Sequence, residues 1–269
     1  MIRDITLGQY YPVNSILHRL DPRTKLAGTL VFLVSLFIFK SFWGYIPAMI
    51  FLFTCIHLSH VPFGHIVKGL KAVLILLLFT LFFNIFLTKG EEPPLVEWKF
   101  IKIYKEGLLS AGFMAIRLTL LIIGSSLMTF TTTPTRLTDG MERAFAPLKI
   151  FKVPVHEVAM MMSIALRFIP ILLEETDKIM KAQQARGAEL EEGNIFKRAK
   201  ALVPILVPLI VSAFRRAGDL AMAMEVRCYH GGEGRTRMKP LKYAGRDFAA
   251  YLILALYLAV VIFVRVKLG

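Results

Sequence analysis

The chain has 269 residues, 56% of them apolar, with a mean hydropathy of +0.60 and a formal net charge of +14. Soluble domains average roughly 45–50% apolar residues, so an ordinary soluble fold is excluded and an integral membrane protein is expected. The cations gather at alternating junctions of the apolar runs, as the positive-inside bias requires, and no basic stripe interleaved with stacking aromatics lies outside them, so nucleic acid is not an expected partner.

Met1–Tyr10 lacks a basic n-region, a short apolar run and a small-residue cleavage site, so no removable leader is expected. The polar lead-in ends in Ser15-Ile16-Leu17-His18-Arg19-Leu20-Asp21-Pro22-Arg23-Thr24-Lys25. Its basic cluster places the N-terminus in the cytoplasm. Leu26–Phe39 and Phe42–Leu58 are apolar runs divided by Lys40-Ser41, both short against the ~20 helical residues that a bilayer needs. Leu70–Thr88 is a third run, and the 89–106 loop around Pro93-Pro94 balances lysines against glutamates, as an external loop permits. Gly107–Phe130 is the fourth. Arg117 near its middle would cost roughly 2.5–3.5 kcal/mol if unpaired, so a structural role facing the bundle is expected, with a carbonyl or Asn84 as partner.

Beyond this point the character changes. Thr131-Thr132-Thr133-Pro134 offers capping hydroxyls and a helix-start proline, followed by a short helix to about Pro147. Two long amphipathic helices are predicted next, over Val155–Ala185 and Ile195–Val226. Pro170 should kink the first, and Arg167 is expected to brace that kink by pairing with Glu174. An acidic linker, Glu189–Asn194, joins them, and Gly231-Gly232 is expected to end the second. A collar of Arg235, Arg237, Lys239, Lys242 and Arg246 precedes the last span, Phe248–Val264. The expected fold is therefore all-α and polytopic, with about five membrane helices. Residues 1–134 form an N-terminal membrane region, 135–234 a cytoplasmic domain with two long amphipathic helices, and 235–269 the collar and final span.

Each long helix closes on an arginine between small or modest side chains: Ala185-Arg186-Gly187, and its partial echo Val226-Arg227-Cys228. One reading makes both arginines complements of the helix dipole, worth roughly 0.3–1 kcal/mol apiece. The other lets slim neighbours carry a guanidinium fork into a narrow groove of another protein, where it meets a carboxylate bidentately. The helices also carry Met160-Met161-Met162 and Met222 with Met224, a soft surface suited either to core and lipid packing or to receiving interchangeable partner helices.

Catalytic chemistry is missing. There is no phosphate-binding Gly-x4-Gly-Lys loop, no dinucleotide Gly-x-Gly-x-x-Gly and no Gly-x-Ser-x-Gly nucleophile elbow. His57, His60 and His65 suit an interface better than a metal, and Cys55 and Cys228 are expected to be free thiols.

Taken together, the lead-in Ser15 to Lys25, the Thr131–Pro134 stretch, Leu166-Arg167-Phe168-Ile169-Pro170 with Glu174-Glu175, and the two arginine tips resemble the transmembrane T component of energy-coupling-factor (ECF) transporters, ABC-class importers of vitamins and transition metals. The second tip departs from that family's usual Ala-Arg-Gly, being larger on both sides of Arg227. The resemblance implies a non-catalytic coupling subunit in a bacterial or archaeal cell membrane. It implies two ABC-type ATPase partners, one taking Arg186 and the other Arg227. It also implies a substrate-binding S component resting on the long helices, for which Met160, Met162, Ala221, Met222 and Met224 are the expected contacts. No cofactor or metal would be bound directly, because ATP and magnesium would act in the ATPases. A conventional importer permease and a polytopic membrane enzyme remain as rival readings. The first needs polar residues along several spans, and the second needs a carboxylate or histidine constellation at one membrane face.

Overall fold

Proline and a capping aspartate start the first helix. Pro22 sits in its opening turn, and the Asp21 carboxylate accepts the Arg23 backbone N–H. The protein was analysed as a computed structural model that describes residues 9–39, 41–87, 96–98, 101–188, 195–232 and 240–268. Among them are eight α-helices: α1 (Pro22–Ile38), α2 (Tyr45–Ser59), α3 (Phe63–Leu87), α4 (Lys105–Thr131), α5 (Pro134–Ala144), α6 (Val155–Ala185), α7 (Ile195–Val226) and α8 (Gly245–Leu268). The all-α class stands, with one addition. Val96–Trp98 and Ile101–Ile103 pair as a short antiparallel ladder, β1 and β2, within the stretch expected to be plain loop. Most of the 1–10 lead, Lys40, much of the 89–106 loop, the 189–194 linker and the collar cations Arg235, Arg237 and Lys239 lie outside the described residues.

The described residues divide into two compact units, one of residues 9–140 with 241–268 and the other of residues 141–232 with 240. In the first, α1 packs against α2, α4 and α8, and α3 runs along α4. Phe32, Leu36, Tyr45, Leu120, Tyr257 and Val261 are at the centre of its core. The Tyr257 hydroxyl inside this core is matched by the Ser35 hydroxyl at 2.6 Å, and its ring stacks on Phe51 with centroids 4.4 Å apart. Gly124 is required where α4 meets α1, because a Cβ there would run into the Phe32 ring. Thr133 caps α5, its hydroxyl accepting the Arg136 N–H at 3.4 Å, with Pro134 as the first helical residue.

Among the described residues five helices are long and apolar enough to cross a membrane by length and composition, and this is a multi-pass membrane protein. The set differs from the one expected. It includes α2 (with the turn before it), α4 and α8, but also α6 and α7, which had been assigned to the cytoplasm. It leaves out α1, whose 17 residues span only about 25 Å against a hydrocarbon core of about 30 Å. The third run becomes a helix pair bent by 58° near residue 72.

Candidate docking site

In the second unit α6 and α7 lie antiparallel, held by side chains that the helices' own backbone chemistry calls for. Pro208 has no N–H to give the carbonyl four residues earlier, so the Pro204 oxygen is left without its helical donor. Gln183 of α6 supplies one, its amide Nε2 donating to Pro204 O at 3.3 Å. Further along, Glu175 receives Arg216 Nε and Nη2 on one carboxylate oxygen at 3.1 and 2.9 Å, and the Ser212 hydroxyl on the other. An Arg–carboxylate pair joined through two N–H groups sets orientation as well as proximity.

The two arginine tips share one backbone geometry. At the end of α6, Gly187 takes φ +85, its N–H bonds Gln184 O at 2.9 Å and the Ala188 N–H bonds Gln183 O at 3.0 Å. At the end of α7, Cys228 takes φ 54, its N–H bonds Glu225 O at 2.8 Å and the Tyr229 N–H bonds Met224 O at 3.0 Å. Both are Schellman caps, and in both the arginine is the residue just before the left-handed one. The helix therefore stops at Val226 under a cap formed by Cys228, and not at Gly231-Gly232 as expected. The double glycine has a different task, since Gly232 passes so close to the His156 ring that a Cβ would collide with it. His156 is itself held by Glu142, Nδ1 to Oε1 at 3.0 Å.

Ala185, Arg186, Gly187, Val226, Arg227 and Cys228 are all exposed, and neither guanidinium has a partner among the described residues. Measured from the Glu175–Arg216 pair, Arg186 lies 186 − 175 = 11 residues along α6 and Arg227 lies 227 − 216 = 11 residues along α7. Each tip thus stands about 16 Å along its helix from the same pin, and because the helices are antiparallel the two tips point apart.

The apolar faces of this pair are largely uncovered. Met162 is 42% and Met222 63% exposed; Ala221 is exposed too, while Met160 and Met224 are half-buried. The expected bond between Arg167 and Glu174 is not formed: both side chains are exposed, and no ion pair joins them. Seven residues separate them, about 10 Å of rise, beyond the three- and four-residue spacing at which helix side chains meet. It is the adjacent Glu175 that carries the ion pair, and α6 stays helical through Pro170.

The lead-in and the Thr131–Pro134 stretch, 106 positions apart at Lys25 and Thr131, come together in the first unit. The Lys25 ammonium donates to Thr131 O at 2.8 Å, Thr132 Oγ1 at 3.2 Å and His18 O at 3.4 Å. Ser15 Oγ meets His18 Nδ1 at 2.7 Å, and His18 Nε2 meets Tyr11 O at 3.0 Å. Arg23 grips the Asp21 carboxylate twice, at 3.0 Å each, and lies 3.9 Å over the Tyr243 ring. Asp247, 2% exposed, accepts the N–H of Asp21 and of Ala244, both at 2.8 Å. Burial and the Arg136 charge push Lys25 down to about 8. Burial pushes Asp21 up, but the hydrogen bonds and charge of Arg23 outweigh it and hold the carboxyl below its usual range. Burial lowers His18, against the Tyr11 carbonyl that favours its charged form. Within α4, Arg117 bonds the Tyr45 hydroxyl through Nε at 3.0 Å and the Phe39 carbonyl through Nη2 at 3.3 Å. Asn84 is not its partner, since that amide turns back to Thr80 O at 2.9 Å.

Residues 13–238 match the CbiQ family, described as cobalt transport protein. The chain is 56% identical, over the full length of both, to the energy-coupling factor transporter transmembrane protein EcfT of Clostridium kluyveri. It is 53% identical to the EcfT of Ruminiclostridium cellulolyticum over 92% of each chain. It is 46% identical to that of Bacillus subtilis, over 98% of this chain and 100% of the other. With the family spanning most of its length and relatives of this identity covering nearly all of it, the protein belongs to the CbiQ cobalt transport protein family.

Proposed function

We propose that this chain is the transmembrane coupling subunit of an energy-coupling-factor transporter, passing the movement of two cytoplasmic ABC-type ATPases to a substrate-binding S component that imports a vitamin or metal. Arg186 docks in one ATPase and Arg227 in the other, each flanked by the residues of its tip. The chain performs no catalysis, and ATP and magnesium are handled by the ATPases. The observation that carries this reading is the pair of exposed arginines, without partners among the described residues, on matching Schellman caps set 11 residues either way from the Glu175–Arg216 pin. A dipole complement alone would not call for two such equal arms.

Closure of the ATPase dimer draws both tips with it, and the pin converts that displacement into a change in how α6 and α7 cross. The S component rests on the faces carrying Met160, Met162, Ala221, Met222 and Met224 and tilts in response. Partner binding thereby biases a two-state helix pair. Co-expression with both ATPases tests the reading. Arg186→Glu or Arg227→Glu is expected to remove one ATPase from the purified complex, or to leave ATP hydrolysis no longer driving uptake. Normal assembly and uptake in the double variant would overturn the assignment.

A further inference from the structure

A cavity of about 690 Å³ opens in the first unit among α1, α2, α4 and α8, within the ~300–1,000 Å³ range of sites that bury a small ligand. Its walls are apolar along most of their length, but one end is cationic. Lys25 in the first turn of α1 and Arg246 in the first turn of α8 both line it, there joined by Thr131 at the end of α4. From Arg246 the lining follows α8 to Val260, a rise of about 21 Å against the ~15 Å depth of one bilayer leaflet.

At the cationic end the cations outnumber the anions, Arg23, Lys25 and Arg246 against Asp21 and Asp247, whose charges already reach Lys25. Lys25 is held only by neutral oxygens, from Thr131, Thr132 and His18. Arg246 is exposed and has no ion pair among the described residues. The two nearby carboxylates are already engaged, Asp21 by Arg23 and Asp247 by two backbone N–H groups. Thr24, also in the lining and only 5% exposed, has a hydroxyl with no hydrogen-bond partner. A buried hydroxyl normally finds one.

We propose that this groove holds one anionic phospholipid, its acyl chain along α8 and its phosphate between Arg246 and Lys25, with the Thr24 hydroxyl turning to donate to a headgroup or ester oxygen. Lipid tails are as apolar as the groove, so burial of the chain gives no preference over the surrounding bilayer. Selectivity must come from the charged end. A helix from a protein partner would fill the apolar part and leave both cations and the hydroxyl unanswered.

Gly28 offers a clean way to close the groove. It lines the cavity, and a Cβ built on it meets nothing within 4 Å, so the side chain of Gly28→Leu starts into open space and adds bulk to the groove. The full chain is reconstituted in vesicles of equal phosphatidylcholine and phosphatidylglycerol, extracted in mild detergent, and weighed by native mass spectrometry. One phosphatidylglycerol is expected to stay bound in preference to phosphatidylcholine. Retention should fall about fivefold in Arg246→Gln, since one interfacial cation is worth roughly that factor, and should be lost in Gly28→Leu while the melting temperature holds. Equal retention of the two lipids would overturn the proposal. So would retention indifferent to both substitutions, or a photo-crosslinker at position 28 that captures a polypeptide.

Discussion

The lead-in knot and the two helix ends use the same residue types and differ in where the partners are. Arg23 and Lys25 find theirs inside the chain: a carboxylate, a tyrosine ring, two carbonyls and a hydroxyl. Arg186 and Arg227 are equally cationic and equally fixed by backbone geometry, yet they are exposed, with no partner among the described residues. A cation whose hydrogen bonds the fold supplies is part of the fold, even where, as at Lys25, every acceptor is a neutral oxygen. One that the fold positions and leaves unsatisfied is held ready for something else. Substitutions in the two regions should therefore separate into losses of stability and losses of partnership.

The largest expected effect is on partnership. If the proposed docking holds, reversing the charge of Arg186 or Arg227 would remove one member of an intermolecular pair and leave the other buried without it, a loss of about 2–5 kcal/mol in binding, read as the disappearance of an ATPase from the purified complex. The melting temperature of the isolated chain in detergent should hardly move, because exposed positions are usually within about 0.5 kcal/mol of neutral. Asp21→Ala should do the opposite. It deletes the α1 cap, worth about 0.5–2 kcal/mol, and strips Arg23 of its carboxylate, so the melting temperature falls while the ATPases are still captured. The Asp21 carboxyl is held below its usual range in the folded chain, so its contribution is present above that range and is lost as the pH falls through it. Acid should therefore narrow the gap between the parent chain and Asp21→Ala.

Lys25 gives a smaller effect of opposite sign. Its folded value is about 8 against an ordinary 10.5, so below pH 8 the folded state carries the full penalty of a buried charge. Between 8 and 10.5 the unfolded chain binds more protons than the folded one, and stability rises with pH. A melting temperature that climbs from neutral pH toward pH 10 in the parent chain, and stays flatter in Lys25→Met, is the expected outcome. Glu175→Gln tests the pin between the arms: assembly and ATP hydrolysis should persist while uptake slows, and unchanged uptake would show that the crossing is not fixed there.

How legible all this was depends on whether the signal was local. Both long helices end within the sequence-drawn limits, Ala185 and Val226, because the apolar periodicity stops there. The arginine tips were readable for the same reason. Placing α6 and α7 in the cytoplasm weighed their charged faces, whereas a hydropathy window weighs their apolar ones, and helices that are amphipathic satisfy both. The ladder at Val96–Trp98 and Ile101–Ile103 shows as alternation in Val96-Glu97-Trp98 and Ile101-Lys102-Ile103, but runs of three residues fall short of the roughly four to eight that mark a strand in sequence. Arg117 does meet a carbonyl, as expected, but its Tyr45 partner and the true partner of the α6 carboxylate were out of reach for one reason. Tyr45 is 72 positions from Arg117, and Arg216 is 41 from Glu175, and no local spacing rule reaches across helices. One distant contact did leave a trace, since Pro208 frees the Pro204 carbonyl, and a donor such as Gln183 is what that oxygen requires.

The smallest expected effect bears on the difference between the tips themselves. Gly187 and Cys228 hold the same left-handed position, φ +85 and 54, but only glycine does so freely, and another L-residue gives up roughly 1–2 kcal/mol there. Cys228→Gly should therefore raise the melting temperature slightly, and Gly187→Ala should lower it by a similar amount. The pair also shows what the cysteine is for. If its side chain were part of the ATPase contact, Cys228→Gly would weaken the complex even as it stabilised the chain. With the Schellman bonds of Cys228 and Tyr229 already matching those of Gly187 and Ala188, the expectation is that stability rises and capture of the ATPases is unchanged, so that Arg227 alone carries the docking at the second tip.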